Sequence, residues 1–436
     1  MHNLSLEERA QIQLERLQST LNRAYRNVPF HRNRKNRKGQ IIDIDRFQVE
    51  SIKDLSYLPF MERKHLGEYY PYGLFAVPLR DIVRIHTAPG TTLNPTVSGY
   101  TRHDLLAWKE MVSTALIASK VTAHDILQIN LNSGLANWGR DYKDGAESIE
   151  AGVIPNTHLS IEKQLKVLKD YKTSVLITTP AFASQLAGYI KTETDLNFAG
   201  LNLKTLILVG EPTGMESRSF LEEQLHATTW LHYGLSEVPG PAIAFECEKH
   251  GGLHVNEDNF IPEIVDVETG ELLPEGETGE LILTALTMRA FPLIRFKTGD
   301  RARFIQDTCN CGCPFKRIEW LEKRTDDMFL INGVKVHQKL ILLHIEDALG
   351  FVPARYCFFK SRQDAKNYLE VWIAVDDTLF SDEIKALEKL MKIIEDKLHE
   401  NIGVPVSIKL KEKRSFQDQN QFSRKAAKTA KDELII

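Results

Sequence analysis

Five cysteines in a chain of 436 residues are too few, and odd in number, for a disulfide framework. Long apolar runs are missing too: no stretch approaches the roughly eighteen residues that a membrane span needs, and the N-terminus has no apolar signal core. A cytoplasmic protein is therefore expected, with no membrane partner. Charge of one sign is not in excess, since 55 Lys and Arg face 59 Asp and Glu for a net charge of -4. That balance offers nucleic acid no basic field. Gly-x-Gly-x-x-Gly after a strand pattern and a Ser-His-Asp elbow are both absent, which removes the dinucleotide and serine-hydrolase readings. There is no internal repeat and no low-complexity segment. What remains is 42% hydrophobic and 26% charged, long enough for two or three domains with large cores.

Along the chain, Ser5 and Glu8 form a capping box for an amphipathic helix over 5–27, with Leu14, Leu17, Leu21 and Tyr25 on one face. The basic stretch from Arg32 to Arg46 reads as a solvated loop. Residues 85–100 carry Gly90, Thr91 and Thr92 between two prolines, a tight loop after a strand and before a helix opening near Arg102, suited to aiming N–H groups at phosphate. Residues 130–144 have loop composition. From 161 to 231 helices alternate with short apolar strands, which indicates a parallel sheet whose ligands gather at the carboxyl ends of its strands. Residues 252–304 turn to strands and hairpin turns. The expected architecture is α/β, with a large domain over 1–322 and a small α+β domain over 323–436 whose pattern opens with a strand at 328–336.

Chemistry-bearing residues cluster after the strands. Gly210-Glu211-Pro212 and Tyr233-Gly234-Leu235-Ser236-Glu237 follow successive strands, where an aromatic can stack on a base and a carboxylate can hold Mg²⁺. Asp300, in Lys-Thr-Gly-Asp, offers two acceptor oxygens to a vicinal diol. Cys247-x-x-His250 and Cys309-x-Cys311 make a four-ligand set for structural Zn²⁺, with His254 and Cys313 as substitutes.

These segments resemble the phenylacetate-coenzyme A ligase branch of the adenylate-forming enzymes. The resemblance implies a parallel-sheet N-terminal domain with a β-rich part, a mobile C-terminal domain, and acid adenylation by ATP followed by transfer to coenzyme A. It implies that Gly90, Thr91 and Thr92 face the phosphates. By the same token Gly210, Glu211, Pro212, Tyr233, Gly234 and Ser236 line the adenine site, Glu237 serves magnesium, Asp300 binds the ribose and Arg324 contacts the nucleotide. Asp326 becomes the hinge, and Lys425, in Arg-Lys-Ala-Ala-Lys, bridges carboxylate and α-phosphate. Some members carry a zinc site of this form. The acid pocket is expected from Trp138, Tyr142 and the 233–241 segment, and a homodimer by resemblance. Ala88, Pro89, Leu93 and Asn94 depart from the family's phosphate loop. Leu93 pays roughly 1–2 kcal/mol if the loop needs positive φ there. Two alternatives follow: a biosynthetic enzyme with weak ATP use acting on a pantetheine thiol or acyl carrier protein, and a silent scaffold.

Overall fold

The computed structural model describes residues 5–35, 39, 41, 49–88, 94–131, 136–155, 159–192, 201–235, 240–326, 328–331, 334–350, 353, 355–363, 366–375, 384–412 and 432–434. Contacts divide the chain into two compact units, Met1–Asp326 and Asp327–Ile436, a few residues past the boundary expected at 322/323.

In the first unit, α1 (Leu6–Asn27) opens on Ser5, whose Oγ accepts the Glu8 N–H at 3.1 Å while Glu8 Oε2 accepts the Ser5 N–H at 2.8 Å. Short helices α2 (Pro29–Arg32) and α3 (Arg63–Glu68) follow. Strands β1 (Arg84–Ala88) and β2 (Thr96–Tyr100) pair antiparallel, from Arg84↔Tyr100 to Ala88↔Thr96. Their β-branched residues suit a pleated pair, so more of the 85–100 stretch is strand than its punctuation suggests. Gly90, Thr91 and Thr92, between them, lie outside the described residues. Helix α4 (Arg102–Ala118) is capped by Thr101 and Asp104, and the Asp104 carboxylate also accepts the N–H groups of Arg289 and Ala290 at 2.6 and 3.1 Å. One side chain thus ends a helix and anchors a distant turn.

An eleven-stranded sheet forms the body of this unit. Strands β3 (Ile126–Asn130), β4 (Gly152–Ile154), β5 (Val175–Thr178), β6 (Thr205–Val209) and β7 (Thr228–Tyr233) run parallel. Helices α5 (Ala136–Ser148), α6 (Ile161–Asp170), α7 (Pro180–Thr192) and α8 (Met215–Leu225) connect them. Every residue of β5 and β6 is buried, as a sheet covered on both faces requires. Strands β8 (Ala244–Glu246), β9 (Leu253–Val255), β10 (Phe260–Val265), β11 (Gly279–Ala285), β12 (Phe296–Ile305) and β13 (Arg317–Arg324) extend it antiparallel, in the order β10-β11-β12-β13-β9-β8-β7-β6-β5-β3-β4.

Helix α5 occupies much of the stretch expected to be loop. Gly139, Asp141, Asp144 and Gly145 all disfavour helix, but packing overrides propensity. Trp138, Tyr142 and Ala146 fall at four-residue spacing on a buried face. At Gly145 the fit is close, because a Cβ there would lie 2.5 Å from Val112 Cγ1 of α4.

In the second unit, β14 (Met328–Ile331) and β15 (Val334–His337) form a hairpin where one strand was expected. Then come α9 (Gln338–Leu349), β16 (Tyr356–Gln363), β17 (Lys366–Val375), α10 (Ile384–Ile402), β18 (Val406–Glu412) and β19 (Asp432–Leu434). The sheet order is β18-β17-β16-β19. Strands β17 and β18 are parallel, so the chain must cross over between them, and α10 is that crossover. Phe358, Leu369, Val371, Ile373, Ile394 and Leu398 form the core. Lys425 lies outside the described residues.

Candidate active site

Strand β6 ends at Val209, and Gly210 follows with φ +89°. That left-handed conformation suits glycine and swings Glu211 and Pro212 away from the strand direction. One strand over, β7 ends on Tyr233, and Gly234 is pressed against returning chain: a Cβ there would lie 2.5 Å from the Gly240 carbonyl oxygen. Only glycine fits this reversal.

The Tyr233 hydroxyl donates to Asp300 Oδ2 at 2.8 Å, and its ring meets Trp320 edge-on at 4.8 Å. The ring has no exposed surface, so stacking on a base requires it to be uncovered. Arg324 Nη1 donates to the other Asp300 oxygen. The same guanidinium grips both oxygens of Asp326, from Nε at 2.8 Å and Nη2 at 2.7 Å, and reaches Thr298 O at 2.8 Å. Arg63, on α3, donates to Thr298 O at 2.6 Å, with its Nε 3.6 Å from Asp326 Oδ2. Burial lowers Arg63 to about 10. Burial also pulls on Arg324, yet Asp300 and Asp326 hold it above its ordinary value. Burial, then the neighbouring Asp300, raises the Tyr233 phenol well above the usual tyrosine range. The structure thus brings Tyr233, Asp300, Arg324 and Asp326 into one network, held from behind by Arg63. Neither Arg63 nor Trp320 stands in a motif that a sequence reading would single out. Ser236 and Glu237 lie outside the described residues.

Tyr142, expected in the acid pocket, faces the core instead. Its hydroxyl lies 2.9 Å from His232 Nδ1, and His232 Nε2 lies 2.9 Å from Ser119 Oγ. Ser119 spends its one proton on Ala115 O, so His232 Nε2 donates and Nδ1 accepts from Tyr142. Burial pushes His232 down to about 3, which keeps it neutral.

The sulfur cluster is a second centre. Cys247, His254, Cys309 and Cys311 place their ligand atoms within 4.8 Å of one another. Cys247 Sγ is 3.6 Å from Cys309 Sγ, and Cys311 Sγ is 3.4 Å from His254 Nε2. His254 Nδ1 donates to Phe315 O at 3.0 Å, leaving Nε2 as the free lone pair a metal needs. Three thiolates and one imidazole fit tetrahedral Zn²⁺. This corrects the place given to His250: its Nδ1 lies 3.3 Å from Arg218 Nη2 and 3.4 Å from Glu246 Oε2, and its ring packs on Trp230. Register explains the exchange, since β9 pairs with β13 through His254↔Arg317 and carries His254 to the cysteine turn.

Comparison with known proteins bears on the whole assembly. The AMP-binding enzyme model matches residues 148–288, and the AMP-binding enzyme C-terminal domain model matches 343–430. Phenylacetate-coenzyme A ligase of Thermus thermophilus is 33% identical over 426 residues, covering 94% of each chain. The chain belongs to the phenylacetate-coenzyme A ligase family. The Escherichia coli K12 enzyme of that name is 35% identical over 333 residues, covering 76% of this chain and 75% of its own. In fold, the chain matches 2-hydroxyisobutyryl-CoA ligase, solved with 2-HIB-AMP and CoA in the thioesterification state, at a TM-score of 0.84 and 23% identity over 96% of this chain and 89% of that one.

As a member of the phenylacetate-coenzyme A ligase family the protein is an adenylate-forming enzyme, and the scaffold alternative is set aside. Among its described residues no helix is long and apolar enough to cross a membrane.

Proposed function

We propose that the protein is an ATP-dependent acid–coenzyme A ligase that first joins a carboxylic acid to AMP and then passes the acyl group to the thiol. The observation that carries this reading is the Tyr233–Asp300–Arg324 network at the carboxyl end of β7. Tyr233 and Arg324 fix the two oxygens of Asp300, and the ribose hydroxyls compete for them as donors. Arg324, already charged and aimed at the site, takes nucleotide phosphate or ribose oxygen in exchange. Asp326, released as Arg324 turns, is the hinge residue. Gly210, Glu211, Pro212, Gly234 and Ser236 border the base. Gly90, Thr91 and Thr92 face the phosphates. Glu237 would supply oxygen to Mg²⁺, and Lys425 would neutralise charge between carboxylate and α-phosphate.

Zn²⁺ held by Cys247, His254, Cys309 and Cys311 would have no open position and so serves the fold. An enzyme drawing on ATP and coenzyme A works where both are made, in the cytoplasm, and a homodimer accords with the family.

One observation favours the second reading, in which a pantetheine thiol on an acyl carrier protein is the acceptor and ATP is used weakly. Asn94, where the family has lysine, is tied back by Nδ2 to Gly67 O at 3.4 Å, and carries no charge for pyrophosphate. Acid-dependent ATP–pyrophosphate exchange, followed by thioester detection with coenzyme A and with carrier protein, separates the two. Lys425→Ala is expected to abolish exchange and spare thioester formation from a supplied acyl-AMP. Equal loss of both steps would refute its role.

A further inference from the structure

Two buried arginines in the first unit share one pair of acceptors. Arg324 donates from Nη2 to Thr298 O at 2.8 Å and to Asp326 Oδ2 at 2.7 Å. Arg63 donates from Nη2 to the same Thr298 carbonyl at 2.6 Å, and its Nε stands 3.6 Å from the same Asp326 oxygen, just beyond hydrogen-bond length. Gly299 makes room for the meeting: its φ is +72°, and a Cβ there would run into Asp326 Oδ2 and Arg324 Nη2. Asp326 is also the last residue of the first unit, so the shared acceptor lies at the boundary.

The two arginines differ in what holds them. Arg63 opens α3, which is laced to the start of β12 by the Met61 N–H donating to Arg295 O at 2.9 Å and the Lys297 N–H donating to Met61 O at 2.8 Å. Its guanidinium lies over the Phe296 ring at 5.8 Å. Arg324 ends β13, and two residues later the first unit ends. Arg324 alone gives Asp326 two hydrogen bonds and serves Thr298 O, so the fold gains little from a second arginine on these acceptors. The second arginine also carries a desolvation penalty. Burial and the facing Arg324 charge lower Arg63 to about 10, which leaves it charged at neutral pH beside a like charge. An extra buried cation on an already satisfied acceptor set has a use when its neighbour departs.

We propose that Arg63 is a positioning residue for nucleotide binding: it takes over Asp326 and the Thr298 carbonyl when Arg324 turns to the nucleotide. This rests on the ligase reading above, in which Arg324 leaves these acceptors. Thr298 is fully buried, and its carbonyl keeps the Arg63 bond. For Asp326 Oδ2, Arg63 Nε closes from 3.6 Å to about 2.9 Å, a side-chain adjustment. Without Arg63 the departure of Arg324 strands both acceptors, and the state that binds nucleotide becomes rarer, which lowers the apparent affinity in proportion.

The test is a double-mutant cycle read as the Kd of AMP. Arg63→Met keeps an apolar stem against Phe296 and removes the donors, and the Kd should rise by about tenfold or more, the weight of hydrogen bonds to a charged group. In Asp326→Ala, Arg324 has no carboxylate to leave and Arg63 none to receive, so adding Arg63→Met should raise the Kd by no more than about threefold. An equal rise in both backgrounds marks a merely structural arginine and overturns the proposal, as does an AMP affinity that Arg63→Met leaves unchanged. Both results leave the ligase reading standing, since the wild type still binds AMP. A wild type that binds no AMP overturns that reading, and the proposal with it. If Arg63→Met does not fold, Arg63→Lys takes its place in the cycle. Lysine keeps the charge but not the fork that meets two acceptors, so a rise of about threefold or more that disappears in Asp326→Ala is expected, and its absence overturns the proposal.

Discussion

The two halves of the eleven-stranded sheet are built on different principles. Between β3 and β7 the strands are parallel and apolar, and Leu206, Ile207, Leu208 and Val209 are all fully buried. In the antiparallel half, charges go inside in pairs. Arg295 has no exposed surface, gives Glu263 two hydrogen bonds at 3.0 and 2.8 Å, and gives the carbonyls of Ser56 and Leu58 two more at 3.0 and 2.7 Å. Arg218 of α8 clasps Glu246 of β8 at 2.7 and 2.9 Å. Apolar burial is non-directional and supplies stability, whereas buried ion pairs cost desolvation and repay it in fixed geometry. The candidate nucleotide site draws on both, because Tyr233 ends the last parallel strand while Asp300 and Arg324 stand on antiparallel ones.

If that contrast holds and the cluster of Cys247, His254, Cys309 and Cys311 takes Zn²⁺ as proposed above, the largest effect comes from that cluster. Zinc content should fall from one per chain to near zero in His254→Ala and stay at one in His250→Ala, and chelation should lower Tm by more than either Arg295→Met or Ile207→Val does. Retention of zinc by His254→Ala would return the fourth ligand to question. Arg295→Met takes from the buried Glu263 carboxylate both of its Arg295 hydrogen bonds, an expected loss of about 3–5 kcal/mol by denaturant titration. A loss below about 1 kcal/mol, the range of surface pairs, would mean that ion pairs do not hold this half. Ile207→Val in the parallel half should cost about 0.5–1.5 kcal/mol, the removal of one methyl from a packed core.

The smallest effect is on pH dependence. His31 and His232 are both pushed down to about 3 by burial. Their folded values lie below the ordinary 6.5, so the unfolded chain binds more protons between pH 6.5 and 3. Their contribution is complete above pH 6.5 and is lost as pH falls toward 3. Asp141, raised from 3.8 to about 7, acts oppositely, favouring the fold at low pH and losing that contribution as pH rises through 7. Tm should therefore fall on acidification from pH 6.5 to 4, less steeply in His232→Gln and more steeply in Asp141→Asn.

The same contrast explains what the amino-acid sequence discloses. Strands such as Val175–Thr178 and Thr205–Val209 announce themselves, because a strand buried on both faces must be continuously apolar. Asp300 is visible through its turn, and Tyr233 through its place after a strand. Helix α5 is concealed because its glycines and aspartates favour loop until Val112 and Gly145 bring two helices together. The exchange of His250 for His254 has a similar cause: Cys-x-x-His spacing reports neighbours along the chain, and strand register supplies neighbours in space. Arg63 is invisible for the same reason, lying on a six-residue helix far from Thr298 and Asp326 in sequence.

The proposed ligase reaction requires Asp300 to grip the ribose of a nucleotide. Titration of AMP and of 2′,3′-dideoxy-AMP against the wild type and Asp300→Ala tests it most directly. Hydrogen bonds to a charged group are worth about 1.5–3 kcal/mol, so the wild type should bind AMP tighter than the dideoxy analogue by about tenfold or more, and Asp300→Ala should bind the two alike. A wild-type enzyme that does not distinguish them would remove Asp300 from the ribose site.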